Sequence, residues 1–99
     1  MEIIAMTHDG PRKVWGHRIV IHPWTTLELC VHYAIEDTRP ETVTYNYDQY
    51  SITEVKTGRS FLFSSTSRIK YLVRDVRNFI KAMGIKAVKE RIAELQIQV

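Results

Sequence analysis

The chain is predicted to be α+β, with an antiparallel β-meander of five or six strands followed by two C-terminal helices packed on one face of the sheet. Three observations lead there. Residues 26–36 alternate apolar and polar side chains with a period of two. Residues 69–83 repeat apolar side chains at three-and-four spacing. Between them the period changes only once, across Ser64-Ser65-Thr66-Ser67, so the strands come first and the helices last.

The elements follow in order. Glu2 to Met6 is a short apolar run closed by the turn-forming His8-Asp9-Gly10-Pro11. Lys13 to His22 reads as the next strand, with Trp15, His17, Ile19 and Ile21 on one side and Gly16 marking a bulge or a close backbone approach. In Thr26 to Glu36, the residues Leu27, Leu29, Val31, Tyr33 and Ile35 share the face expected to meet the helices. Glu28, Cys30, His32, Ala34 and Glu36 take the side nearer water. A turn at Asp37-Thr38-Arg39-Pro40 leads into Thr42 to Tyr47, rich in the Thr, Val and Tyr that suit a pleated surface. At Asp48-Gln49 the pattern fits either a turn or a bulged strand running on. Ser51 to Lys56 and Arg59 to Ser64 flank Thr57-Gly58 as a two-residue hairpin, with Phe61 and Phe63 on one face.

The first helix is expected over 66–83, capped by the hydroxyl cluster. Ile69, Leu72, Val73, Val76, Phe79, Ile80 and Met83 form its apolar stripe, and Gly84 stops it. A second helix over 86–95 turns Ile85, Val88, Ile92 and Leu95 inward, and Gln96 to Val99 either frays or adds a short strand. No linker, repeat or low-complexity tract divides the 99 residues, which read as one compact domain, 1–64 mainly strands and the remainder helical.

Composition places the chain among ordinary soluble domains, with 44% hydrophobic and 25% charged residues. There is no long apolar run for a spanning helix and no secretory leader pattern, and the single Cys30 fits a reducing compartment, so a cytoplasmic location without membrane contact is expected. The net charge of +3 is uneven. Six bases stand against eight acids up to Ser65, and eight bases against three acids from Thr66 on, which divides it into −2 and +5. Regional charge of this kind bears on partners, not on the fold.

The sharpest functional feature lies in the first helix. Lys70, Arg74, Arg77 and Lys81 are spaced four, three and four apart. At about 100° per residue they fall within roughly 60° of one another, a basic ridge beside the apolar stripe and bordered by Tyr71 and Asn78. Asp75 is the one acid within the helix and is expected to point elsewhere. Arg68 and Lys70 also occupy the helix start, where the dipole favours acids, so free amides, hydroxyls and two bases form a candidate anion pocket. The candidate nucleic-acid or anion-binding residues are therefore Arg68, Lys70, Tyr71, Arg74, Arg77 and Lys81. The competing explanation is a solvated face whose long stems cover the rim of the core.

Other chemistry is poorly supported. His17 and His22 lie on opposite faces of a regular strand, and His32 shares the outward face with Cys30, two residues away, where a ligand from a neighbouring strand could meet them. With no CxxC or HxxxH, neither a metal nor another cofactor is expected. Cys30 has no basic neighbour in sequence to lower its pKa. His8-Asp9 before Gly-Pro is a turn and not an acid–base pair. The chain is expected not to be an enzyme. Trp15, Trp24, Tyr33, Tyr45, Tyr47, Tyr50, Phe61 and Phe63 all fall in the strand region, either as half-buried cross-strand pairs or as an exposed patch, with Tyr45 and Tyr47 pointing the same way.

Two functions of different class fit. One is a small accessory protein that holds nucleic-acid backbone, DNA or RNA, on the basic ridge. Zinc-finger, helix-turn-helix and RNP-like signatures for base readout are missing from the sequence. The other is a protein-interaction module, an inhibitor or adaptor of the kind phages and mobile elements encode. It would use an exposed sheet edge, the aromatic patch, or the same ridge against an acidic protein surface. An edge strand would equally let two copies pair as a homodimer.

Overall fold

In this computed structural model, residues 1–61 and 65–95 are described. Among the described residues five antiparallel strands precede two helices, but the strands divide into two sheets. The first is a hairpin of β1 (Glu2–Thr7) and β2 (Gly10–Trp15). The second holds β3 (His17–Ile19), β4 (Leu29–Asp37) and β5 (Thr44–Glu54) in that order. Helices α1 (Ile69–Met83) and α2 (Ile85–Leu95) follow.

Gly16 makes the division. The expected strand through residues 13–22 breaks there, and the chain passes from the hairpin to the central sheet directly over β4. A Cβ at Gly16 would lie 2.4 Å from the Val31 carbonyl oxygen and 2.6 Å from Cys30 Sγ, so no other residue fits without displacing backbone. At the other end of the hairpin the loop is tighter than the sequence suggests. His8-Asp9 alone forms it, Gly10 begins β2 at φ 98°, and the Thr7 hydroxyl accepts from Asp9 N–H and donates to the Gly10 carbonyl.

The hairpin covers the face of β4 that was expected to lie near water. Cys30, His32 and Ala34 are buried, and Ile3, Ala5, Val14, Cys30 and Val43 form a cluster of their own. Arg12 ties the hairpin to the β4–β5 turn by donating to the carbonyls of Thr38 and Pro40, and Met6 N–H donates to the Gly58 carbonyl. On the opposite face, Leu27, Leu29, Val31, Ile21 and Ile52 meet Leu72, Val76 and Ile80 of α1 and Val88 of α2. Ile35 leaves that expected face and packs against the hairpin cluster, where the register shifts between Tyr33 and Ala34 and again before Asp37. Tyr33 keeps the face through its pairing with Tyr50 but is 39% exposed.

That first shift answers the question at Asp48-Gln49: β5 is one strand that bulges. Tyr33 pairs with Tyr50 and Ala34 with Asn46, so Tyr47, Asp48 and Gln49 have no opposite number on β4. The expected hairpin at Thr57-Gly58 is replaced by a wider loop, closed by Gly58 N–H to the Glu54 carbonyl and Glu54 N–H to the Arg59 carbonyl. The buried Glu54 carboxylate holds it from inside, accepting from Lys56 N–H at 3.0 Å and Thr57 N–H at 2.7 Å. Of the expected strand over 59–64, Ser60 makes a single bridge to Thr53, and residues 62–64, with Phe63, lie outside the described residues. The tail from Gln96 also lies outside them.

Helix α1 starts three residues later than expected. Arg68 stands at its N-cap in extended conformation, and no side chain caps it. Two of the hydroxyls are engaged otherwise: Thr66 donates to the Arg68 carbonyl, and Ser65 donates to Gln49. The ends of the apolar stripe, Ile69 and Met83, are exposed, so the core uses only its middle. Gly84, at φ 85°, ends α1 with its N–H on the Ile80 carbonyl and starts α2 at once.

Candidate nucleic-acid interface

Leu72, Val76 and Ile80 are fully buried and fix the rotation of α1 about its axis. The ridge residues Lys70, Arg74, Arg77 and Lys81 are all exposed as a consequence. They line an open groove of about 390 Å³ together with Val73 and Asn78. From Lys70 to Lys81 the ridge runs about 16 Å at ~1.5 Å per residue. That is the axial length of about five base pairs at ~3.4 Å each.

Not all four cations are free. Arg74 Nε pairs with Asp75 at 3.2 Å, contrary to the expectation that Asp75 turns away, since adjacent side chains on a helix can fold toward each other along its surface. Tyr71 lies under two of the charges, with Lys70 Nζ 5.3 Å and Arg74 Cζ 5.0 Å from its ring centroid. Among the described residues, no carboxylate pairs with Lys70, Arg77 or Lys81. Arg68 is exposed one residue before the helix, and the first turn contains no acid. Lys81 sits in the last turn, where the dipole favours it, while Lys70 sits in the first, where it does not.

The tyrosines gather on β4 and β5. Tyr33 and Tyr50 stack across β4 and β5 at 5.4 Å, and Tyr47 meets Tyr33 edge-on at 4.9 Å. Tyr45 lies 6.1 Å from Tyr47, while its hydroxyl accepts from Trp15 N–H. Tyr50 also packs on the helix-side core, and Phe61 meets Phe79 of α1 edge-on. Sequence spacing could not place Tyr50 beside Tyr33, because the three-residue bulge sets that register.

His32 is buried with both ring nitrogens engaged. The Tyr33 carbonyl can only accept, so Nδ1–H donates to it at 2.7 Å, and the bare Nε2 accepts from the Thr53 hydroxyl at 2.7 Å. Burial pushes the His32 pKa down and the Cys30 thiol up, so the ring is held neutral and the thiol protonated. No three His, Cys, Asp or Glu side chains converge among the described residues. On the surface, Arg39 donates twice to the Asp37 carboxylate and once from its own backbone, holding that carboxyl down to about 2. No protein-family model, curated protein or solved structure matches the chain.

Proposed function

We propose that this protein is a non-enzymatic accessory factor that binds the phosphate backbone of nucleic acid along the outer face of α1. The observation that carries the reading is the row of Lys70, Arg77 and Lys81, exposed on a helix whose rotation is fixed by three fully buried side chains and paired to no described carboxylate. Rigid, linear, unneutralised positive charge suits a linear polyanion. Arginine forks add bidentate contacts to phosphate oxygens. Arg74 joins by exchanging Asp75 for a phosphate, and Arg68 and Tyr71 extend the surface toward the helix start.

A second reading, a protein-interaction module, draws on β3, whose outer edge closes the three-stranded sheet. Three residues offer few main-chain hydrogen bonds to an added strand or a second copy, so the ridge is the stronger feature.

Salt dependence tests the proposal. Three to four phosphate contacts on duplex DNA give a log–log slope between about −2.7 and −3.6, at about −0.9 per contact. Replacing Lys70, Arg74, Arg77 and Lys81 with glutamine flattens that slope, whereas replacing Lys13 and Lys56 leaves it near the parent's. A quadruple variant that binds with the parent's affinity and slope would reduce the ridge to a solvated face.

A further inference from the structure

Tyr47 owes its position to a bulge and not to strand pairing. Tyr33 and Tyr50 are register partners, and a stacked cross-strand pair stabilises a sheet by itself. Tyr47 belongs to the three residues that β5 inserts without a partner, and it is 68% exposed. A bulge re-aims side chains, and this one sets a large aromatic ring out in water with its edge against Tyr33.

The bulge is also fastened to the start of the basic helix. Tyr50 N–H donates to the Thr66 carbonyl at 2.7 Å, Thr66 N–H returns to the Tyr50 carbonyl at 3.0 Å, and Ser65 donates to Gln49. Thr66 is two residues before Arg68 and four before Lys70. Tyr33 shares the sheet face of Leu29 and Val31, on which α1 packs, and the Tyr50 ring touches that same core. The aromatic platform and the start of the basic helix are therefore joined through the strand-to-helix connection.

We infer that the ligand is a single-stranded nucleic acid, its bases stacked on the Tyr47 and Tyr33 platform while its backbone continues along Arg68, Lys70, Arg77 and Lys81. The inference rests on the proposed backbone binding and names its substrate class. In a duplex the base faces are hidden, so exposed rings beside a cationic track gain nothing from it. An unstacked strand offers a π-face at every base, and aromatic side chains next to a positive groove are how single strands are held without sequence preference. Tyr71, already beneath Lys70 and Arg74, gives the track a further ring.

Fluorescence anisotropy with labelled oligothymidylate, a hairpin duplex of equal charge, and inorganic polyphosphate as competitor separates the two levels of the reading. Tyr47→Ala is expected to weaken oligothymidylate binding roughly five- to 150-fold, the range for losing one stacked base. Duplex affinity, competition by polyphosphate and the salt slope stay as in the parent, and Tyr47→Phe restores single-strand binding. The high exposure of Tyr47 keeps the fold out of the comparison, and equal melting curves check this. If Tyr47→Ala binds oligothymidylate as the parent does, or weakens single strand and duplex alike, the platform is overturned. The ridge reading then still stands if the quadruple glutamine variant loses both probes. If the parent binds neither probe, both readings fall.

Discussion

On the helix side of the central sheet, Leu29 and Val31 meet Leu72, Val76, Ile80 and Val88, so large aliphatic side chains fill the space between sheet and helices. On the hairpin side the same strand offers Cys30, His32 and Ala34 to Ile3, Ala5 and Val14. The side chains there are smaller, two backbones nearly touch at Gly16, and a histidine must be satisfied by Tyr33 and Thr53. One side is held by buried area, the other by fit and hydrogen bonding. Damage to the first should scale with volume removed. Damage to the second should depend on atoms added or partners lost.

Leu72→Ala should have the largest effect, because it empties the centre of the helix side. Loss of about 2–5 kcal/mol is expected from the transfer and cavity terms together. Urea denaturation with an unchanged midpoint would show that α1 is not seated on the sheet.

Gly16→Ala tests the other side with a single added carbon. The Cβ would sit 2.4 Å from a carbonyl oxygen that cannot rotate away, so about 1–3 kcal/mol is expected, toward the upper end. Cys30→Ala removes the sulfur but not the carbonyl, and the double variant should stay close to Gly16→Ala alone. Full rescue would mean that the sulfur, not the Val31 backbone, sets the spacing.

The two sides were unequally legible in sequence. Leu72, Val76 and Ile80 announce themselves through the helical period, and the ridge is the same arithmetic applied to Lys70, Arg74, Arg77 and Lys81. Gly84 reads as a helix stop and is one, and Gly16, which reads as a bulge or a close backbone approach, is a close approach that only a residue without a Cβ allows. The hairpin side was not legible. Cys30 and His32 alternate with leucine and valine, so period two assigned them to water, and nothing local reveals that residues 2–15 fold back over them. The bulge that brings Tyr50 opposite Tyr33 is likewise a pairing decision between distant segments. For the candidate interface, the charges were readable, while the Asp75 pairing and the Tyr50–Thr66 link to the platform depend on three-dimensional contact.

The hairpin side should also fail in acid where the helix side does not. His32 titrates near 6.5 when unfolded, and burial lowers that value in the fold. Below about pH 6.5 the unfolded chain therefore takes up the proton and the folded chain resists it. Stability is full above that pH and falls as the pH drops toward the folded value, by at most about 1.4 kcal/mol per unit. Urea midpoints between about pH 8 and pH 5 measure the limb, and His32→Gln should flatten it. A limb of undiminished slope in that variant would assign the proton uptake to another group.

The smallest effect is expected where the proposed function is greatest. Replacing Lys70, Arg74, Arg77 and Lys81 with glutamine removes like charges at three-and-four spacing, which relieves the helix by a few tenths of a kcal/mol per pair. It also removes the exposed Arg74–Asp75 ion pair and the two cation contacts on Tyr71, each worth little on an open surface. Lys70 leaves the unfavourable end of the dipole and Lys81 leaves the favourable one, so those contributions offset. The net change in stability should stay within about 0.5 kcal/mol, the ordinary range for surface substitutions. None of the four side chains belongs to the buried cluster that seats α1. Thermal melts of parent and variant at low salt should superimpose within a few degrees, while their nucleic-acid affinities diverge. A variant destabilised as much as Leu72→Ala would show that the stems of these residues roof the helix-side core, and the ridge would then belong to the fold before it belonged to any ligand.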